Sequence, residues 1–152
     1  MKKLLIAVAV LLALVGVLVL SLPTILHKAG LHPEYDGPSV ALPGKRALII
    51  TTSHDVLAAP GVTEGPATGV AASELTHPYY TFLDGGMEVD VASIRGGDIP
   101  IDPQSFVFMI RSPEDERYLN DPVAQAKVKN SLPIADVDID QYDIVFISGG
   151  WG

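Results

Sequence analysis

Three short stretches hold the groups best suited to chemistry. His54-Asp55 follows an apolar run. Ser148-Gly149-Gly150-Trp151 closes the most apolar run of the soluble part, and Glu74 stands near the start of an amphipathic stretch. A His beside an Asp can orient a proton relay, or ligate a metal together with Glu74 or His77. Hydrogen bonds that fix a loop are the plainer role for this pair. No H-E-x-x-H spacing supports zinc, and no metal is expected. At Gly149-Gly150 the missing Cβ atoms let a backbone amide approach a developing oxyanion; an ordinary turn after a strand is the competing role. Taken by itself, Glu74 reads as an exposed carboxylate near a helix N-terminus, favoured there by the macrodipole. Gly96-Gly97 has no Walker Lys, so no nucleotide is expected. Tyr79 and Tyr80 suit helix packing better than a cofactor stack, and no cofactor is expected. Asp136, Asp138 and Asp140 alternate with apolar residues and read as a solvated face rather than a calcium loop.

The elements that must position these groups follow from hydrophobic patterning. Ala47 to Thr52 is a short continuous apolar run, as in a strand covered on both faces. Met87 to Ser93 alternates, and Asp143 to Ser148 is the third strand candidate and the most hydrophobic. Between the first two, Ala71, Leu75, Tyr79, Phe82 and Leu83 recur at helical spacing until Gly85-Gly86 stops them. Pro78 inside this stretch marks a kink, or the first turn of the main helix, because Pro is tolerated at the first helical position but not deeper. Asp121-Pro122 opens a second helix through about Leu132, with Asp121 as N-cap. Strand, helix, strand, helix, strand implies right-handed crossovers and a parallel sheet. Ligands of such sheets sit at the carboxyl ends of the strands. Those ends are Thr52 to Asp55, Ser93 to Asp98 and Ser148 to Trp151. The expectation is an incomplete doubly wound, flavodoxin-like α/β sheet. Its third strand would lie centrally, with further chain or a partner needed to pair with it.

Ahead of this lies a segment of another kind. Met1-Lys2-Lys3 precedes Leu4 to Leu22, which holds no charge and one Gly. That is close to the roughly 20 apolar residues of a membrane-spanning helix. A cleaved signal peptide has a shorter apolar region and a small-residue cleavage site, which Ser21 to Leu26 does not offer. The expected organisation is an uncleaved transmembrane signal anchor over 1–26, a Pro- and Gly-rich linker over 27–44, and an α/β domain over 45–152. Lys2 and Lys3 favour an inside N-terminus and an extracytoplasmic domain. The chain has 18 Asp and Glu against 10 Lys and Arg. Lys2, Lys3 and Lys28 fall before Gly37, so the domain itself is strongly acidic. With no basic stripe, nucleic-acid binding is not expected. Cys is absent, which removes disulfides and thiolate chemistry from these 152 residues.

From about Arg46 onward the chain resembles the ThiJ/PfpI family of the class I glutamine amidotransferase-like fold, nearest its glyoxalase III branch. The likeness rests on "TTSHD" at Thr51 to Asp55, "TGVAASELTHPYYTFLDGGMEVDVAS" at Thr68 to Ser93, and "GGDIPIDPQS" at Gly96 to Ser105. It continues in "DPVAQAKVKNSLPIADVD" at Asp121 to Asp138 and "YDIVFISGGWG" at Tyr142 to Gly152. The resemblance implies conversion of methylglyoxal-like 2-oxoaldehydes to hydroxy acids without glutathione, or related deglycase or amidase action. It implies Glu74 as the acid–base group beside a Cys nucleophile that these residues do not include. It implies Gly149 and Gly150 as oxyanion donors, with Trp151 lining the pocket. The family loop is usually Pro-Gly-Gly-His-Gly, so Ser148 and Trp151 depart from it. Expected partners are a small carbonyl substrate and the membrane, with a homodimer as a candidate assembly. The alternative is a catalytically inactive fragment or pseudoenzyme serving as a binding or chaperone-like module.

Overall fold

A computed structural model describes residues 1–31 and 35–149. The chain divides into two compact units, Met1–Asp36 with Phe108–Ile110, and Gly37–Val107 with Arg111–Gly152. The first unit is built on helix α1, Lys2–Lys28, in which no residue is buried. It is long and apolar enough to cross a membrane, by length and composition. It runs through Pro23 to a last turn carrying His27 and Lys28, further than the apolar run alone marks.

The second unit is α/β. Strand β1 is Arg46–Thr51, helix α2 Ala72–Asp84 and strand β2 Glu88–Ser93. Helices α3, Pro113–Leu119, and α4, Pro122–Lys129, follow, then the short strand β3, Leu132–Pro133, and β4, Ile144–Ile147. The sheet order is β3-β2-β1-β4. Every pairing is parallel, with Ile49 opposite Val91 on one side and Phe146 on the other. Thus β1 is flanked on both sides. Strand β4, expected at the centre, is the outer strand among the described residues. Val145, Phe146 and Ile147 are 40%, 38% and 78% exposed, although their apolar run suits burial on both faces.

The core explains the helices. Ile49, Val89 and Val91 share one sheet face, and Leu75, Tyr79 and Tyr80 of α2 pack with them. Tyr118 of α3 and Ala124 and Val128 of α4 join the same cluster. Burying a side chain such as Leu75 contributes about 1.5–3 kcal/mol. Tyr79 and Tyr80 meet edge to face at 5.1 Å, and the Tyr80 hydroxyl donates to Asp121 at 3.1 Å. Phe82 reaches Phe146 with ring centroids 6.4 Å apart, which ties α2 to the outer strand.

Two local departures from the sequence pattern matter. Helix α2 begins at Ala72 and continues through Pro78, so the proline lies in the helix interior rather than in a first turn. The segment after β2 holds two helices, not one. Helix α4 has the expected Asp121 cap, with its carboxylate accepting from Val123 and Ala124 amides at 2.9 and 3.1 Å, but ends at Lys129. Helix α3 precedes it, opened by a capping box in which Ser112 and Asp115 bond each other's amides.

At the amino ends of the strands the charges are organised for stability. Asp90 accepts from Arg46 at 2.9 Å and from the Tyr142 hydroxyl at 3.0 Å, with Lys127 at 3.3 Å. Burial alone would raise its pKa, but the bonds from Arg46, Tyr142 and Lys127 outweigh it and hold the carboxyl below its ordinary value. Asp143 is likewise lowered, first by Lys45 and then by the Arg46 amide.

Candidate functional site

The opposite edge, at the carboxyl ends of the strands, is where the sequence-marked groups collect. Strand β1 ends in Thr51, 3% exposed, and Ser53, 6% exposed. His54 and Asp55 follow, both exposed. The His54 amide donates to Thr52 Oγ1 at 2.9 Å, and the Asp55 carbonyl accepts from the Thr68 amide at 3.0 Å. Their backbones thus fix the loop, and no side-chain bond joins His54 to Asp55. Among the described residues no group of three or more His, Cys, Asp or Glu is arranged to hold a metal ion.

Strand β2 ends beside them. The Arg95 amide donates to Ser53 Oγ at 2.9 Å, and the Arg95 guanidinium reaches the Ser53 carbonyl. Gly96 follows at φ +71°, where a Cβ would fall 2.8 Å from the Pro133 nitrogen, so glycine is required by both conformation and space. Ser93 and Ser131 hydroxyls lie 2.9 Å apart and buried.

Glu74 enters from above the sheet edge. It lies in the first turn of α2 and is exposed. The N-cap residue, Ala71, supplies no side-chain cap, although the Ala72 amide is met by Ser105 Oγ at 2.9 Å. The end of β4 comes to this turn. The Ser148 amide continues the ladder to the Ile50 carbonyl at 2.8 Å. Its hydroxyl donates to the Glu74 carbonyl at 2.8 Å. Gly149 then turns at φ +113°, and nothing within 4 Å would meet a Cβ there. The glycine is demanded by backbone conformation, not by crowding. Gly150 and Trp151, singled out in the sequence, lie outside the described residues.

The arrangement therefore brings Glu74, Ser148 and Gly149 together and sets His54 and Asp55 on the neighbouring strand end. The Ser148 and Arg95 tethers are not signalled by any motif, because each joins a side chain to a backbone carbonyl far away in sequence. Two clefts lie elsewhere. One of about 280 Å³ is lined by Tyr80, Asp84, Glu114 and Arg117 among others, and one of about 460 Å³ by Asp98, Tyr118 and Lys129 among others. Neither includes Glu74.

The fold is a parallel α/β sheet with the first turn of α2 at its carboxyl edge. No family model matches the chain. It is 33% identical over 92 residues to Glyoxalase 3 of Candida albicans, spanning 59% of this chain and 39% of that protein. It is also similar to the Rapid Encystment Protein 24 KDa of Francisella tularensis, at 39% identity and a TM-score of 0.60. That match covers 69% of this chain and 44% of the other. Glyoxalase III of Candida albicans matches at 29% identity and a TM-score of 0.58, over 70% of this chain and 44% of that one. The chain is a homologue of these ThiJ/PfpI proteins and shares their fold. It spans less than half the length of each of these relatives.

Proposed function

We propose that these residues form the N-terminal part of a membrane-anchored ThiJ/PfpI-type protein acting on small 2-oxoaldehydes such as methylglyoxal. Glu74 is its acid–base group, moving a proton between adjacent carbons of the substrate. A Gly149–Gly150 amide faces the developing oxyanion, Trp151 lines the pocket, and His54 and Asp55 shape its rim. The thiol nucleophile of such a reaction comes from outside these 152 residues, since they contain no Cys. The observation that carries the reading is the 2.8 Å bond from Ser148 to the Glu74 carbonyl, which joins the acid–base candidate to the glycine loop. Likeness to Glyoxalase 3 over 92 residues supports the substrate class.

Residues 1–26 serve as the anchor, 27–44 as the linker and 45–152 as part of the α/β domain, held outside the cytoplasm by Lys2 and Lys3. A reporter fused after Gly152 that works only in the cytoplasm overturns that topology. The second reading is a binding or chaperone-like module without turnover.

The deciding experiment reads the gene past Gly152 and assays methylglyoxal loss by the full product. A Cys-bearing strand-to-helix turn and a loss of about 10²–10⁴-fold in Glu74→Gln are expected. Turnover retained in Glu74→Gln removes Glu74 from the mechanism. A stop codon at Gly152 with no turnover leaves the binding module as the function.

A further inference from the structure

Two residues far apart in sequence meet at the carbonyl of Glu74. In a regular helix the carbonyl of residue i accepts from the amide of residue i+4. For Glu74 that residue is Pro78, inside the continuous helix α2. Proline has no N–H, and its ring crowds the carbonyl four residues back. A helix carbonyl left open in this way turns to water or bends the helix. Here Ser148, 74 residues along the chain, donates its hydroxyl to that carbonyl at 2.8 Å. Ser148 is itself 6% exposed, and its amide is held by the Ile50 carbonyl at 2.8 Å. The hydroxyl therefore approaches from a position set by β1, not by a free loop.

We propose that Pro78 and Ser148 form a latch that positions Glu74. The proline vacates the carbonyl and the serine occupies it, which fixes the first turn of α2 against the end of β4. Ser148 is a positioning residue, since it touches the backbone of Glu74 and not its carboxyl. The functional weight of the latch rests on the reading of Glu74 as the acid–base group; its existence does not. The physical consequence is that Ser148 matters only while residue 78 lacks an amide hydrogen. An alanine at 78 supplies the missing donor from within the helix.

The test is amide hydrogen exchange by NMR on the full chain in detergent micelles. Ser148→Ala is expected to speed exchange at Glu74 and Leu75 by roughly threefold to tenfold, with the core amides of Ile49 and Val91 unmoved. Ser148→Thr keeps the hydroxyl and restores near-native exchange. In a Pro78→Ala background, Ser148→Ala adds little or nothing. If Ser148→Ala fails to fold, Ser148→Cys, a weaker donor of similar size, is read the same way. Unchanged exchange at Glu74 and Leu75, or equal acceleration with proline and alanine at 78, overturns the latch. Because no turnover is measured, a confirmed latch alongside an active Glu74→Gln protein would discard the role of Glu74 and leave the latch standing.

Discussion

Thr76 donates its hydroxyl to Asp115 at 2.6 Å, and both side chains are shut off from solvent. The bond joins α2 to the cap of α3. The other Asp115 oxygen accepts from the Ser112 amide at 2.9 Å, while Ser112 Oγ accepts from the Asp115 amide at 3.1 Å. One carboxylate therefore sets the entry to α3 and its docking on the helix that carries Glu74. Asp115→Ala removes a cap and a charged, buried hydrogen bond, so a loss of about 2–4 kcal/mol is expected. Urea unfolding of the chain in detergent measures it. Thr76→Val costs less, because Asp115 keeps its Ser112 bond.

Thr51 presents the reverse case. Its hydroxyl is buried and has no hydrogen-bond partner among the described residues. In register it stands beside Ser93, whose own hydroxyl is paired with Ser131. A desolvated, unpaired hydroxyl costs free energy, so Thr51→Val is expected to stabilise the fold by about 1 kcal/mol. A higher urea midpoint at an unchanged slope is the expected result. A lower midpoint would show that the hydroxyl has a partner of its own.

Asp90 gives acid sensitivity a definite sign. Its folded pKa is lowered by Arg46, Tyr142 and Lys127 against the opposing effect of burial. The stability it contributes is full above the unfolded carboxyl value, about 3.9, and is lost as pH falls through the lower folded value. Asp90→Asn should therefore be less stable than the native chain near neutrality, with the gap closing below about pH 4. Thermal unfolding across pH 2–7 reads this, and a gap that persists at pH 2 would assign it to packing instead.

Ile147 tests the open side of the sheet. At 78% exposure on the outer strand among the described residues, it offers an apolar strand edge of the kind that pairs with other chains. Ile147→Lys should lower self-association of the purified chain, measured by sedimentation, with the β1–β4 pairing retained. Unchanged association would move the sticky surface elsewhere.

Much of this fold is legible in the sequence, for particular reasons. The strands β1 and β2 are marked by burial on both faces or by alternation. Asp121-Pro122 announces α4 through cap chemistry alone. Helix α3 is harder to see, since seven residues carry too short a period to stand out. Yet Ser112-Pro113-Glu114-Asp115 has the capping-box spacing with proline at the first helical position. Strand β3 is two residues long and leaves no pattern. Pro78 misleads because a helix interior rejects proline unless the freed carbonyl finds another donor. That donor, Ser148, is invisible to any local rule. The same holds for the candidate site: the glycine turn is local and readable, whereas its tie to Glu74 exists only once β4 is laid beside β1.

The strand order has one more consequence. From β1 the sheet grows through β2 to β3, and then the chain returns to lay β4 on the other side of β1. The direction of winding thus reverses between β1 and β4. In open parallel sheets such a topological switch point leaves a crevice, because the connections on its two sides depart to opposite faces. In this chain the switch point falls between Thr51 and Ser148, at the first turn of α2, where Ser148 meets the Glu74 carbonyl. The position of that switch point is thereby a property of the order in which the strands are laid down, before any side chain is considered.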